Sequence, residues 1–185
     1  MMRKMKSLSI KKVLMSRKGL SLMEVLVTIF IFSFVIASLY TTIIVGNSSW
    51  ENNKVTIQMH QNLRLAMEKM KYDLQQASNS SISDVPADST WYNWITFKIP
   101  SGITSGSVTW DPNSIRYIKG GTDNTQLLKV YNAVTTILAN DISSVQFRRQ
   151  NASSNILEVV LTSQKQVIQG QLLQNQLTFE VKLRN

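Results

Sequence analysis

Lys18-Gly19-Leu20-Ser21-Leu22-Met23-Glu24 separates a lysine-rich leader from a long apolar stretch. From Val25 to Val45 there is no charge, proline or glycine, and Leu, Ile, Val and Phe dominate. At about 1.5 Å rise per residue a helix of this length spans roughly 30 Å, the thickness of a bilayer's hydrocarbon core. A buried core helix is the bland alternative. A cleaved signal peptide fits less well, because Ile43-Ile44-Val45-Gly46-Asn47-Ser48-Ser49 offers no strong small-x-small site. Glu24 is the single carboxylate at the start of this stretch. An acid inside a membrane segment is costly, so it calls for a partner. The competing account is an ordinary signal anchor, with Glu24 at headgroup level only six residues from Lys18.

Charge orients the segment. The formal net charge is +9, from 20 basic and 11 acidic residues. Arg3, Lys4, Lys6, Lys11, Lys12, Arg17 and Lys18 all precede the apolar span, which leaves 13 basic residues against the 11 acidic ones. Positive charge before the span and near balance after it predict a cytoplasmic N-terminus, with residues 47–185 on the other side of the membrane. Tyr40 and Trp50 suit the outer interface. The near-neutral remainder argues against nucleic acid as a partner, since that needs a basic patch on the folded part. The absence of cysteine excludes disulfides, a thiolate nucleophile and thiolate metal sites. His60 is the only histidine, too little for a triad or a multi-histidine metal site. Asp111, Asp123 and Asp141 are scattered and form no calcium loop. No catalytic residue, metal ligand or cofactor is therefore assigned.

The helix is expected to continue past the membrane. Gly46 and Asn47-Ser48-Ser49 are its only weak point before Ser78-Asn79-Ser80-Ser81, a plausible stop. Val55, Met59, Leu63, Ala66/Met67, Met70, Leu74 and Ala77 recur at steps of three and four and form one apolar stripe. Arg64–Glu68 and Lys69–Asp73 read as i,i+4 pairs on the wetter side. The stripe needs cover, most economically from the downstream part of the chain. There the period falls to two. Ile95-Phe97-Ile99, Ile115-Tyr117, Leu128-Val130, Val145-Phe147, the run Ile156–Leu161, and Leu177-Phe179-Val181-Leu183 predict half-buried antiparallel strands. Turn signals stand at Pro100-Ser101-Gly102, Asp111-Pro112-Asn113, Gly120-Gly121 and Gln150-Asn151. Residues 133–142 are ambiguous between helix and strand, and Gln164 to Gln176 reads as a hairpin loop with frayed strand ends. Of the aromatic cluster Trp91, Tyr92 and Trp94, only part is expected in the core.

The fold class is thus α+β: a long N-terminal helix, amphipathic in its outer half, packed on an antiparallel β-sheet. The expected organisation is a leader at 1–19, a transmembrane half-helix at 20–45, an amphipathic half-helix at 46–80 and a β-rich globular domain at 81–185.

Gly19 followed by Leu20-Ser21-Leu22-Met23-Glu24-Val25-Leu26 resembles the processing motif of type IV pilins and type II secretion pseudopilins. The resemblance implies cleavage between Gly19 and Leu20 by a prepilin peptidase, N-methylation of Leu20, and an assembly role for Glu24, the fifth mature residue. Leu20 departs from the usual phenylalanine or methionine, and Thr41 stands where the family often has a helix-kinking proline. A weaker resemblance, over Leu63 to Ala77, the β domain and the terminal Val181 to Asn185, is to minor subunits such as the J-type pseudopilin and the W-type minor pilin. Major pilins are smaller or carry a C-terminal disulfide loop.

The resemblance implies a pilin-like fold and a structural subunit, not an enzyme. Its role would be to help initiate or cap a type IV pilus or a type II secretion pseudopilus. The implied partners are the prepilin peptidase, other minor and major subunits, an inner-membrane assembly platform and membrane lipid. The implied location is a single-pass inner (cytoplasmic) membrane protein whose C-terminal domain is periplasmic or extracellular. The alternative is a membrane-anchored or pilus-tip module that binds a ligand such as DNA or a surface.

Overall fold

The computed structural model describes residues 21–151, 155–167 and 170–184. The chain falls into two compact units that meet between Ser48 and Ser49. One helix, α1 (Leu22–Gln76), contributes to both. In the first unit its residues are exposed almost throughout. By length and composition α1 is able to cross a membrane.

In the second unit the same helix presents one buried stripe. Met59, Leu63, Ala66, Met70 and Leu74 are buried on α1, and Ala77 is buried just beyond its end, as the spacing predicts. Gly46 and the following Asn-Ser-Ser do not break the helix. It stops where the serine-rich segment begins. Ser78 caps a 3-10 turn (Asn79–Ser81), its side chain accepting from the Ser80 N–H while Ser81 Oγ accepts from the Ser78 N–H. The Arg184 N–H then donates to the Ala77 carbonyl at 2.8 Å. The end of the chain thus satisfies a carbonyl that a helix end leaves open.

Nine strands follow among the described residues. Strands β1 (Trp94–Phe97), β4 (Ile115–Gly120), β5 (Gln126–Tyr131) and β6 (Val134–Ala139) form one antiparallel sheet in the order β1-β4-β5-β6. Strands β2 (Pro100–Thr104) and β3 (Ser107–Trp110) make a separate hairpin between β1 and β4 in the chain. Strands β7 (Ile142–Arg149), β8 (Ile156–Gln166) and β9 (Leu172–Lys182) form the third sheet. The stripe of α1 shares one core with residues of these sheets, including Ile95, Phe97, Ile115, Tyr117, Leu127, Val145, Phe147, Leu157, Val159, Leu161 and Val181. Phe97 and Tyr117 are fully buried within it, with ring centroids 5.8 Å apart.

The structure corrects three local expectations and resolves a fourth. Pro100-Ser101-Gly102 is the start of β2, not a turn. Proline is tolerated there because the two-stranded sheet has a free edge, and the register slips between Pro100 and Gly102. Residues 133–142 resolve into β6, a short bend and the start of β7. The glutamine-rich segment is mostly strand: Gln164 pairs with Gln174 and Gln166 with Leu172, so β8 runs to Gln166 and β9 begins at Leu172. Finally, Asp73 is not on the wet face; it is 8% exposed.

The β5–β6 turn explains why the sequence was ambiguous there. Asn132 and Ala133 both have positive φ, 49° and 60°, as a two-residue hairpin turn of the mirror type requires. Asn is suited to this conformation, but Ala is not. Ala133→Gly should therefore stabilise the protein by about 0.5–1 kcal/mol, the relief of left-handed strain less glycine's extra chain entropy. Denaturant titration of the full chain in detergent would read this as a raised midpoint.

Candidate assembly site and the charged seam

Glu24 lies in the first turn of α1 and is exposed. The Ser21 carbonyl receives the first helical bonds, from the Glu24 N–H at 2.9 Å and the Val25 N–H at 3.1 Å. Ser21-x-x-Glu24 has the spacing of a capping box, and a carboxylate at this position meets the positive end of the helix dipole. Among the described residues, nothing donates to the Glu24 carboxylate or pairs with it. Gly19 and Leu20, the expected processing residues, lie outside the described residues.

Four hydroxyls in the apolar half of α1 are bonded within the helix itself. Hydroxyls of Thr28, Ser33 and Thr41 each donate to the carbonyl four residues back at 2.6 Å, and Thr42 does so at 2.9 Å. In hydrocarbon an unpaired hydroxyl is costly, so this internal bonding suits a lipid-facing helix. Phe30 and Phe34 meet edge to face at 4.8 Å.

The second unit contains a charged site that sequence spacing misassigned. The Asp73 carboxylate accepts a hydrogen bond from Tyr117 Oη at 2.5 Å and from Lys129 Nζ. Helix α1, β4 and β5 each supply one member. Lys69, the expected i,i+4 partner, instead lines a groove with Asp73, Lys129, Tyr131, Val134, Thr136 and Leu138. Burial, and then the neighbouring Asp73 carboxylate, push the Tyr117 phenol far above its ordinary pKa, so it remains a donor. Nothing local in the sequence links Asp73 to residues 44 and 56 positions away. The signal that was available is negative: an acid set between Met70 and Leu74 on an apolar stripe.

Smaller charge pairs complete the unit. Arg148 bonds Glu158 from Nη2 at 2.5 Å and lies over the Trp91 ring at 4.4 Å. Arg116 lies over Trp94 at 5.7 Å. Tyr92 packs against the core and donates to Asp88 at 2.7 Å. Tyr131 Oη donates to Asp111 at 2.7 Å; this bond and the Asn113 N–H hold Asp111 below the ordinary carboxylate range. Of the aromatic cluster, then, only Tyr92 joins the core. His60 is exposed, and no cluster of His, Asp or Glu among the described residues is placed to hold a metal.

Residues 14–40 match the family model described as the prokaryotic N-terminal methylation motif. No curated protein and no solved structure matches the chain. The chain carries the prepilin-type motif and is consistent with a type IV pilin-like protein. The motif points to a structural protein, implies processing by a prepilin peptidase, and implies assembly with other pilin subunits. With the long apolar helix, it supports a membrane-anchored pilin subunit.

Two predictions follow from the charged seam. Asp73→Ala would strand the Tyr117 hydroxyl and the Lys129 ammonium, at a cost of about 2–4 kcal/mol, whereas Asp73→Asn keeps an acceptor and should lose roughly half as much. Chemical denaturation of the three proteins side by side checks this. The second concerns alkali. With its folded pKa raised, Tyr117 contributes stability that is complete below its unfolded value of about 10 and is lost as pH rises beyond it. Melting between pH 8 and 11 should fall less steeply for Tyr117→Phe than for the wild type, although the variant starts lower.

Proposed function

We propose that this chain is a minor pilin or pseudopilin, a structural subunit that helps initiate or cap a type IV pilus or a type II secretion pseudopilus. The observation that carries the reading is the position of Glu24: in the first turn of an exposed apolar helix and five residues past Gly19. The leader's charge puts the N-terminus in the cytoplasm, where the peptidase cuts between Gly19 and Leu20 and Leu20 is methylated. Glycine suits the cut because a chain without Cβ enters a protease in extended form without hindrance. Cleavage creates an α-amine on Leu20, and Glu24 pairs with that amine on a neighbouring subunit. Neither charge is tolerated alone in an apolar bundle, but the pair is. The apolar half of α1 supplies helix packing in the filament. The folded unit, with its stripe already covered, supplies the surface that meets sibling subunits and the assembly platform.

Gly19→Val, expressed beside an active prepilin peptidase, should keep the full-length mobility while the wild type shifts. A wild-type band that never shifts would remove the processing assignment. Glu24→Ala should be cleaved normally, yet its recovery in sheared filaments should fall by about tenfold or more, the scale of losing a buried charge pair. Normal recovery would remove the pairing role.

A further inference from the structure

Strand β6 is an edge with little of the usual protection. Natural edge strands are blunted by lysine, proline, β-bulges, short length or a covering element; here the one register shift lies at the far end, beyond Ile137, where Leu127 pairs with Ala139 and Leu128 with Ile137. Val134-Thr135-Thr136-Ile137-Leu138-Ala139 has no charge, proline or glycine. It pairs with β5 on one side and with no other described strand on the other. Both of its faces are open: Val134 is 63% exposed and Ile137 50%, and Thr135 and Thr136 are exposed as well. Only Leu138 and Ala139, at the far end, are covered to any extent. β-Branched, uncharged and six residues long, the segment has the composition of a strand that pairs readily.

The register decides what it can pair with. Tyr131 and Val134 close the two-residue turn, so they exchange hydrogen bonds, and bonding alternates from there as far as Ile137, before the register shift at Leu127/Leu128. Thr135 and Ile137 consequently direct N–H and C=O away from β5. Two copies of this edge, run antiparallel about Thr136, place Thr135 of each opposite Ile137 of the other. Those two reciprocal pairs use every backbone group that Thr135 and Ile137 leave open. On the face towards α1 the same register sets Thr136 against Thr136 and Val134 against Leu138. Threonine pairs and aliphatic pairs of this kind stabilise neighbouring strands, and no like charges meet. The groove of about 380 Å³ that Val134, Thr136 and Leu138 form with Lys69, Asp73, Lys129 and Tyr131 is the space beside which the second strand's side chains would lie.

We propose that a second copy of this chain docks on the β6 edge, joining two four-stranded sheets across a two-fold axis at Thr136. The inference is independent of the pilin assignment, because it rests on the ladder and not on the N-terminal motif.

The chain has no cysteine, so a single introduced thiol reports without background. Full-length Thr136→Cys, extracted in mild detergent and oxidised, should form a disulfide dimer, since facing Cα atoms of a non-bonded antiparallel pair lie about 4.5 Å apart, within disulfide reach. Thr135→Cys should yield about tenfold less, because its symmetry mate is two residues out of register and roughly 8–9 Å away. Adding Thr135→Lys to Thr136→Cys should abolish the cross-link by placing cations on the joined edge. Thr135 and Thr136 are exposed, so an unchanged melting curve would show that each variant is folded. Absence of the Thr136→Cys dimer would overturn the proposal. So would equal yield from Thr135→Cys, or a cross-link indifferent to Thr135→Lys. Dimerisation through the apolar half of α1 alone would give one of those last two results.

Discussion

The folded unit depends on one seam, where the C-terminal half of α1 lies on the sheets. Leu63, Ala66, Met70, Leu74 and Ala77 are essentially inaccessible there and meet residues from both larger sheets. Each large aliphatic side chain so buried contributes about 1.5–3 kcal/mol. The seam is not wholly apolar. Asp73 sits within it because Tyr117 and Lys129 supply donors from two adjacent strands. Apolar contacts hold helix and sheet together without fixing their register, whereas a carboxylate with two directional donors fixes it.

The two parts of α1 show how one helical geometry meets two environments. Residues from Leu22 to Val45 are apolar nearly all round and exposed, the pattern of a helix whose surroundings are themselves apolar. From Met59 onward the buried apolar residues fall on one stripe, and charged residues such as Arg64 and Glu68 occupy the exposed side together with Leu65 and Tyr72. The hydroxyls of Thr28, Ser33, Thr41 and Thr42 in the first part turn back onto their own helix. The exposed apolar part and the seam-forming part of one helix thus differ in side chains alone.

The sheets are held at their ends by polar contacts at the close of the chain. Val181 and Leu183 are buried, and the Arg184 N–H reaches the Ala77 carbonyl. Sequence distance is large here, between the end of α1 and the close of the last strand, and so is the loop entropy to be overcome. Burial of β9's last apolar residues offsets that cost. Strand β6, by contrast, ends a sheet with neither cover nor charge.

Much of this was legible in the residues themselves. The apolar span, the stripe from Met59 to Ala77, the serine stop and the alternating strands all follow from periodicity and local backbone preference, which act within a few residues. The methylation motif was legible for the same reason, being a local pattern of glycine, glutamate and charge. Three matters were decided only in tertiary structure. Asp73 reads as a surface partner of Lys69 until β4 and β5 bring Tyr117 and Lys129 to it. The Asn132-Ala133 turn carries no glycine, and only the pairing of β5 with β6 holds Ala133 at positive φ. The glutamine-rich hairpin looks like loop until eleven consecutive ladder pairs make it strand. In each case the deciding contact joins residues that are distant in sequence or overrides a local preference, so no reading of neighbours along the chain contains it.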